Sequence, residues 1–183
     1  TRLEISGNGG DGINLSGAPS FITLDNLEIH DIDVGVNFRS SMSDITVRHN
    51  LIHHTGQNGG TGEGMYVGCN DATCVVSRAL IENNWIHDTT VEYHGGVGVF
   101  GGYVADLALH HNELVNLPYS GTAVGWGWGR NSYAENNLFV ANRIENVMQV
   151  LEDGGSIYTL SSQPRSFVNA NYLANSVING IYH

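Results

Sequence analysis

Apolar and polar residues alternate with a period of two in short segments of the chain. Examples are DITVR at residues 44–48 and DLALH at residues 106–110. This period places successive side chains on opposite sides of an extended backbone, which is the pattern of a half-buried strand. No segment free of glycine sustains the spacing of an amphipathic helix. The chain is therefore predicted to be all-β.

Two landmarks recur together along the sequence. One is an asparagine after an alternating apolar stretch, and the other is a small residue that opens a short strand. Short strands that repeat in this way bury their apolar sides by stacking on the next unit, so we predict a parallel β-solenoid of about six to seven coils. The asparagines are Asn26, Asn50, Asn84, Asn112, Asn142 and Asn171, and the small residues are Gly12, Gly35, Gly64, Gly96, Gly121, Ser156 and Gly180.

The recurring asparagine has a structural explanation. Asparagine tolerates a left-handed backbone at a sharp corner, and its amide can bind the backbone and the equivalent asparagine one coil away. We therefore expect the six asparagines to form an internal ladder. Most of the histidines share this repeating frame, which favours a structural role for them as well.

The repeat resembles that of the right-handed parallel β-helix superfamily, which includes pectate lyases, polygalacturonases, alginate lyases and several glycoside hydrolases. The resemblance covers nearly the whole chain and specifies the fold better than the reaction. The segment GEGMYVGCNDATC is similar to a secreted bacterial branch, whereas GWGWG and DGGSIYTL look more like β-helix glycosidases. Both ends lie within strand patterns, so we expect a single uncapped β-helix domain over residues 1–183, either a fragment or composite, or a chain that associates end to end.

The charge of the chain argues against two classes of partner. It has seven basic residues, all arginine, and 18 acidic residues, so its net charge is −11. An acidic surface repels nucleic acids and anionic lipid headgroups, and no apolar run approaches the ~20 residues that span a bilayer. We expect neither nucleic acid nor membrane as a partner. Cys69 and Cys74 either form a local disulfide, as in exported proteins, or remain two buried thiols.

One face of the predicted coil carries candidate sugar-binding residues. If the residue after each small landmark points inward, the next one points outward. Tyrosine rings in such a row suit the apolar faces of sugars, although tyrosine is also a favourable strand residue. The outward residues are then Asn14, Asn37, Tyr66, Gly98, Ala123, Tyr158 and Tyr182.

The run GWGWGR at residues 125–130 is a second candidate for sugar binding. Trp126 and Trp128 would form a flat platform with Arg130 beside it, or would fold back over the core.

Three carboxylates precede two of these outward tyrosines. Glu63 comes just before the strand of Tyr66, and Glu152 and Asp153 come before the strand of Tyr158. Acid-catalysed glycosidic cleavage needs one protonated and one ionised carboxyl group. Asp153 and Glu152 are the leading candidates for these catalytic carboxyl groups, and Glu63 is the third. The glycosidase resemblance adds weight to Asp153. The alternative is that Asp153 caps a turn.

His94 departs from the histidine frame and is a candidate acid–base group. No metal-binding motif and no clustered aspartates of the pectate-lyase kind occur, so we predict no metal and no cofactor. We expect a secreted or periplasmic carbohydrate-active protein whose partner is a polysaccharide or oligosaccharide. A glycoside hydrolase is favoured over a polysaccharide lyase, and the alternative is a glycan-binding or structural scaffold without catalysis.

Overall fold

The computed structural model describes residues 2–7, 9–127 and 133–183. Over these residues the chain forms short strands, and no helix there is long and apolar enough to cross a bilayer. The strands are β1 (Leu3–Ser6), β2 (Ile13–Asn14), β3 (Ser20–Asp25), β4 (Leu27–His30), β5 (Val36–Phe38), β6 (Met42–Arg48), β7 (Leu51–His53), β8 (Met65–Val67), β9 (Val76–Glu82), β10 (Trp85–His87), β11 (Val99–Gly101), β12 (Val104–His110), β13 (Glu113–Val115), β14 (Thr122–Val124), β15 (Leu138–Val140), β16 (Arg143–Glu145), β17 (Ile157–Thr159), β18 (Phe167–Asn169), β19 (Tyr172–Ala174) and β20 (Ile181–Tyr182).

The strands form three parallel sheets that run the length of a solenoid. The first sheet has the order β1-β4-β7-β10-β13-β16-β19, and the second has the order β2-β5-β8-β11-β14-β17-β20. The third sheet has six strands, in the order β18-β15-β12-β9-β6-β3. Each complete coil therefore gives one strand to each sheet, and the predicted all-β parallel β-helix of six to seven coils is confirmed.

Inward-pointing aliphatic side chains form a continuous core. In the first sheet, Ile29, Ile52, Ile86, Leu114 and Ile144 occupy equivalent positions in successive strands. Each is at most 1% exposed. Full burial of an aliphatic side chain of this size contributes about 1.5–3 kcal/mol. The stacked columns therefore supply the stability that no single coil can provide.

A ladder of asparagines runs along the corner that precedes the first sheet. Each asparagine except the last donates its backbone N–H and its side-chain amide to Oδ1 of the next, at 2.9–3.1 Å. The amide also donates to a main-chain carbonyl, as from Asn112 Nδ2 to the oxygen of Ile81 at 2.8 Å. The members are Asn50, Asn84, Asn112, Asn142 and Asn171.

The ladder prediction was wrong in two respects. Asn26 is not a member, because the N–H of Leu27 donates to Asn50 Oδ1 at 2.9 Å and so Leu27 holds the ladder position. The left-handed backbone falls on the residue before each asparagine, with φ of 55° at His49 and 53° at His111. That preceding residue makes the corner, which turns the asparagine side chain inward.

The fourth landmark glycine is Gly98, two residues beyond the predicted Gly96. The N–H of Met65 donates to the carbonyl of Gly98 at 3.0 Å, and the N–H of Val99 donates to that of Gly121 at 3.0 Å. A Cβ on Gly98 would lie 2.6 Å from the Gly121 oxygen, so the close approach of the next coil requires glycine here. The parity of the strand is unchanged, but its outward residue is different.

Two other sequence features have clear structural outcomes. Cys69 and Cys74 form a disulfide with their Cα atoms 5.4 Å apart, so the disulfide alternative is confirmed. The imidazole rings of His30, His53 and His87 stack outside the first sheet, with centroids 4.9 and 5.1 Å apart. This stack fits the structural role expected from the repeating frame.

Candidate functional site

The outward positions of the second sheet form one column. Strand pairing aligns Tyr66 with Phe100, Phe100 with Ala123, and Ala123 with Tyr158. Asn14 and Asn37 precede this run, and Tyr182 ends it. The predicted member Gly98 is replaced by Phe100, because the landmark glycine lies two residues later than expected. Tyr66 and Tyr158 nevertheless share one face, as the sequence predicted.

A cleft of about 590 Å³ lies over this column. Its floor and walls are rich in aromatic rings, and the ring of Phe100 lies 4.5 Å from that of Tyr66 and 5.7 Å from that of Trp126, between centroids. With Tyr158, these residues belong to an apolar cluster separate from the core of the solenoid. Tyr66, Phe100 and Tyr158 are 7–8% exposed, so these rings are mostly buried and Trp126 is more accessible. A cleft lined by aromatic rings and polar groups is typical of a site that binds sugars.

Glu63 is the most buried carboxyl group of the cleft. It immediately precedes the landmark glycine of its coil, and the residue is 8% exposed. The N–H of Gly62 donates to Glu63 Oε2 at 3.1 Å. Burial nevertheless raises the pKa of Glu63, because removal from water disfavours the charged form more than the backbone donors and the Arg39 charge favour it.

Arg39 and Asp71 surround Tyr66 at the same end of the cleft. The guanidinium carbon of Arg39 lies 3.8 Å from the centroid of the Tyr66 ring, which is a cation–π contact. Burial raises the pKa of Tyr66, and the charges of Glu63 and Asp71 add to the effect. Both carboxyl groups therefore act on the same hydroxyl.

Asp71 has an environment opposite to that of Glu63. It lies in the loop closed by the disulfide, and its Oδ1 accepts hydrogen bonds from the N–H of Thr73 at 2.8 Å and from the Thr73 hydroxyl. These bonds lower the pKa of Asp71, so the group stays ionised. One end of the cleft thus holds one carboxyl group whose pKa is raised and another whose pKa is lowered.

Asp153 lines the opposite end of the cleft. Its backbone carbonyl accepts a hydrogen bond from the Tyr119 hydroxyl at 3.2 Å. Burial raises the pKa of Tyr119, and the Asp153 charge raises it further. The strands that follow Glu63 and Asp153 are β8 and β17, three strand spacings apart in the second sheet. At about 4.8 Å per spacing, they are separated by roughly 14 Å along the axis.

The structure brings some of the predicted site residues together and leaves others apart. The cleft is lined by Glu63, Tyr66, Trp126, Asp153 and Tyr158. The predicted candidates outside its lining are Glu152 and His94, which are exposed, and Tyr182, whose ring packs 5.2 Å from that of Tyr158 at the last coil. Trp128 and Arg130 lie outside the described residues.

Sequence reasoning missed Phe100, Arg39, Asp71 and Tyr119. Phe100 was concealed by the choice between two glycines in GGVGVF. Arg39 and Asp71 follow strands β5 and β8 and reach the cleft through loops, and the repeat carries no signal for the path of a loop. The position of Asp71 inside the short Cys69–Cys74 interval was the one available hint.

Comparisons with known proteins bear on the fold. Residues 1–139 match the model of the family described as right handed beta helix region. Among solved structures, the chain is similar to a protein described as a glycoside hydrolase, with a TM-score of 0.68 and 24% identity, over 84% of this chain and 30% of that protein. It is also similar to an alginate lyase from Paenibacillus sp. str. FPU-7, with a TM-score of 0.49 and 20% identity, over 99% of this chain and 74% of that protein. Curated proteins give no match.

Proposed function

The chain belongs to the family of right-handed β-helix regions, and we propose that it binds a glycan in the cleft over the second sheet and cleaves a glycosidic bond by acid catalysis. The observation that carries this proposal is Glu63, a buried carboxyl group with a raised pKa beside a floor of aromatic rings. The similarity to a protein described as a glycoside hydrolase supports hydrolysis, although the chain spans about 30% of that protein.

Glu63 is the proposed general acid. A general acid must hold its proton until the glycosidic bond breaks, so a raised pKa suits this role. Glu63 donates its proton to the departing oxygen as the bond to the anomeric carbon breaks. Tyr66 and Phe100 are paired in the second sheet and belong, with Trp126, to the aromatic lining that a sugar ring would contact.

Asp71 is the proposed ionised partner. Glycoside hydrolysis uses two carboxyl groups whose environments push their pKa values apart, and Asp71 is held ionised by Thr73. Its carboxylate would take a proton from the attacking water as the water oxygen bonds to the anomeric carbon, and its charge would stabilise the positive charge that develops there. The earlier candidate Asp153 is instead proposed to contact the sugar at the other end of the cleft.

A glycan-binding protein without catalysis is the second candidate function. The roughly 14 Å between the strands after Glu63 and Asp153 favours it, because catalytic carboxyl pairs lie about 5–5.5 Å or 6.5–9.5 Å apart. If Asp71 does not act with Glu63, the cleft has aromatic binding surfaces but no complete acid pair.

Four variants distinguish these functions in a reducing-sugar assay against a panel of polysaccharides. Glu63→Gln and Asp71→Asn are each expected to lower kcat by about 10²–10⁴-fold. Asp153→Asn is expected to raise KM with little change in kcat. Glu82→Gln, at the end of β9 in the third sheet, is the control and should leave both constants unchanged.

The parent protein decides between the two functions. If it binds glycans but releases no reducing ends, catalysis is excluded and the binding function remains. If Asp153→Asn abolishes turnover while Asp71→Asn does not, the acid pair is assigned to the wrong residues.

We further propose that the protein is exported. The disulfide between Cys69 and Cys74 supports this, because such bonds persist in oxidising compartments. The free-thiol content of protein isolated from periplasmic and extracellular fractions tests it, and recovery of a reduced protein from the cytoplasm alone would contradict it.

A further inference from the structure

We infer that the cleft selects neutral glycans and rejects polyuronates. This inference rests on the proposed function, since it names the class of substrate for the same site. Three observations support it: the excess of carboxylates over cations around the cleft, the contact of Arg39 with the Tyr66 ring, and the aromatic lining of the cleft.

Carboxylates outnumber cations among the described residues that line the cleft. Glu63 and Asp71 lie at one end and Asp153 at the other, whereas Arg39 is the one basic side chain in that part of the lining that the structure describes. If Glu63 is protonated, two carboxylates still face one guanidinium. The charge over the whole cleft is therefore negative, with Arg39 balancing Asp71 at one end and Asp153 without a cation at the other end among the described lining residues. A uronate is repelled by this charge, and like charges repel most strongly where walls exclude water.

Arg39 is already engaged by groups of the protein. Its guanidinium lies over the Tyr66 ring, with 3.8 Å between its central carbon and the ring centroid. Its charge also acts on Glu63 and Tyr66, where it opposes part of the increase in pKa that burial causes. A sugar carboxylate would have to draw Arg39 from this ring or compete with the charges already beside it. Recognition of planar carboxylates instead uses guanidinium groups whose donors point to the ligand.

The floor of the cleft suits uncharged sugar rings. Tyr66, Phe100 and Trp126 line the cleft and contact one another ring to ring, and Trp126 is the most accessible of the three. Such surfaces pack against the C–H faces of a pyranose, while the carboxylates Asp71 and Asp153 accept hydrogen bonds from sugar hydroxyls. A carboxylate acceptor pairs with a hydroxyl donor but not with another carboxylate.

The whole molecule adds to this selection. The net charge of −11 lowers the local concentration of a polyanion near any surface of the protein. Selection of neutral glycans also disfavours the lyase alternative, because β-elimination requires a uronic acid in the chain that is cleaved.

Matched polysaccharide pairs test the inference. Polygalacturonate, alginate and a polyglucuronate are each compared with the same polymer after reduction of its carboxyl groups to hydroxymethyl groups. Cellulose, xylan, mannan and galactan oligosaccharides are included as natural neutral ligands. Affinities are measured by calorimetry with Glu63→Gln protein at two salt concentrations. These are about 20 mM, where the Debye length is roughly 20 Å, and about 500 mM, where it is roughly 4 Å.

We expect each reduced polymer that binds to do so on the order of tenfold more tightly than its acidic parent at low salt, and the difference to shrink at high salt. Asp71→Asn should narrow the difference severalfold, whereas Glu82→Gln should not. Tighter binding of any acidic parent, or binding of acidic polymers alone, would overturn the inference and leave the proposed glycan site in place. Failure of every neutral and acidic polymer to bind would overturn the proposed function itself.

Discussion

Asn112 lies in the middle of the asparagine ladder, where replacement by alanine removes hydrogen bonds to the coils on both sides. Its Oδ1 accepts the N–H of Asn84 at 3.1 Å and the Asn84 side-chain amide at 2.9 Å. Its Nδ2 donates to the carbonyl of Ile81 at 2.8 Å and to Asn142 Oδ1 at 3.1 Å. Asn112 is 2% exposed, so water cannot take the place of these bonds.

The cost of Asn112→Ala follows from the groups that lose their partners. The Asn84 amide keeps its bond to the carbonyl of Val47, and Asn142 Oδ1 keeps the N–H of residue 112. The N–H of Asn84 loses its acceptor, and the carbonyl of Ile81 loses the hydrogen bond from the residue 112 side chain. At about 1–3 kcal/mol for each unsatisfied buried group, we expect the free energy of unfolding to fall by about 4 kcal/mol.

Urea unfolding followed by circular dichroism measures this loss. Asn116→Gly is the matched control, because Asn116 is exposed, accepts one bond from the side chain of Asn146, and has a φ of 59° that glycine adopts without strain. The control should change the free energy of unfolding by less than about 0.5 kcal/mol. If Asn112→Ala lowers the free energy of unfolding by less than about 1 kcal/mol, the role assigned to the ladder is refuted.

Three further predictions concern other parts of the fold. Burial, together with the charges of the neighbouring imidazoles, lowers the pKa of His53. Its folded-state pKa therefore lies below the unfolded value, so its contribution to stability is present above about pH 6.5 and is lost as the pH falls. Urea unfolding at pH 7.5 and 5.5 should show a smaller loss of stability in acid for His53→Phe than for the parent. Serine at both Cys69 and Cys74 should lower the free energy of unfolding by about 2 kcal/mol, the effect of opening a short loop, and an unchanged urea midpoint would contradict this. Gly98→Ala should destabilise by about 1–3 kcal/mol, because its Cβ would meet Leu114 at 2.7 Å as well as the next coil's backbone, whereas Gly7→Ala, with nothing within 4 Å of the added Cβ, should change the thermal midpoint little.

The repeat predicted the fold because local sequence patterns determine both which strand residues face inward and how many residues make up a coil. Alternation fixes which residues face the core, and the recurring asparagine marks one corner of each coil. The errors arose where the local pattern is degenerate. Asn26 lies one residue before the ladder position, and GGVGVF offers two glycines of the same parity, Gly96 and Gly98. Hydrogen bonding to the neighbouring coil selects between them, and that pairing is not a local property.

The candidate site was only partly predictable. Tyr66, Tyr158 and Glu63 lie on or beside the regular strands, so the repeat placed them on one face. Asp71 and Arg39 reach the same cleft from the connecting segments after two strands. The direction of such segments depends on contacts outside the repeat, such as the disulfide beside Asp71 and the Tyr66 ring beneath Arg39.

The most direct test of the account is a crystal structure of Glu63→Gln protein with a bound neutral oligosaccharide. The account predicts sugar rings in the cleft over β8, β11, β14 and β17, packed on Phe100 and Trp126, with a glycosidic oxygen beside residue 63. An oligosaccharide bound on the first or third sheet, with the cleft occupied only by water, would contradict it.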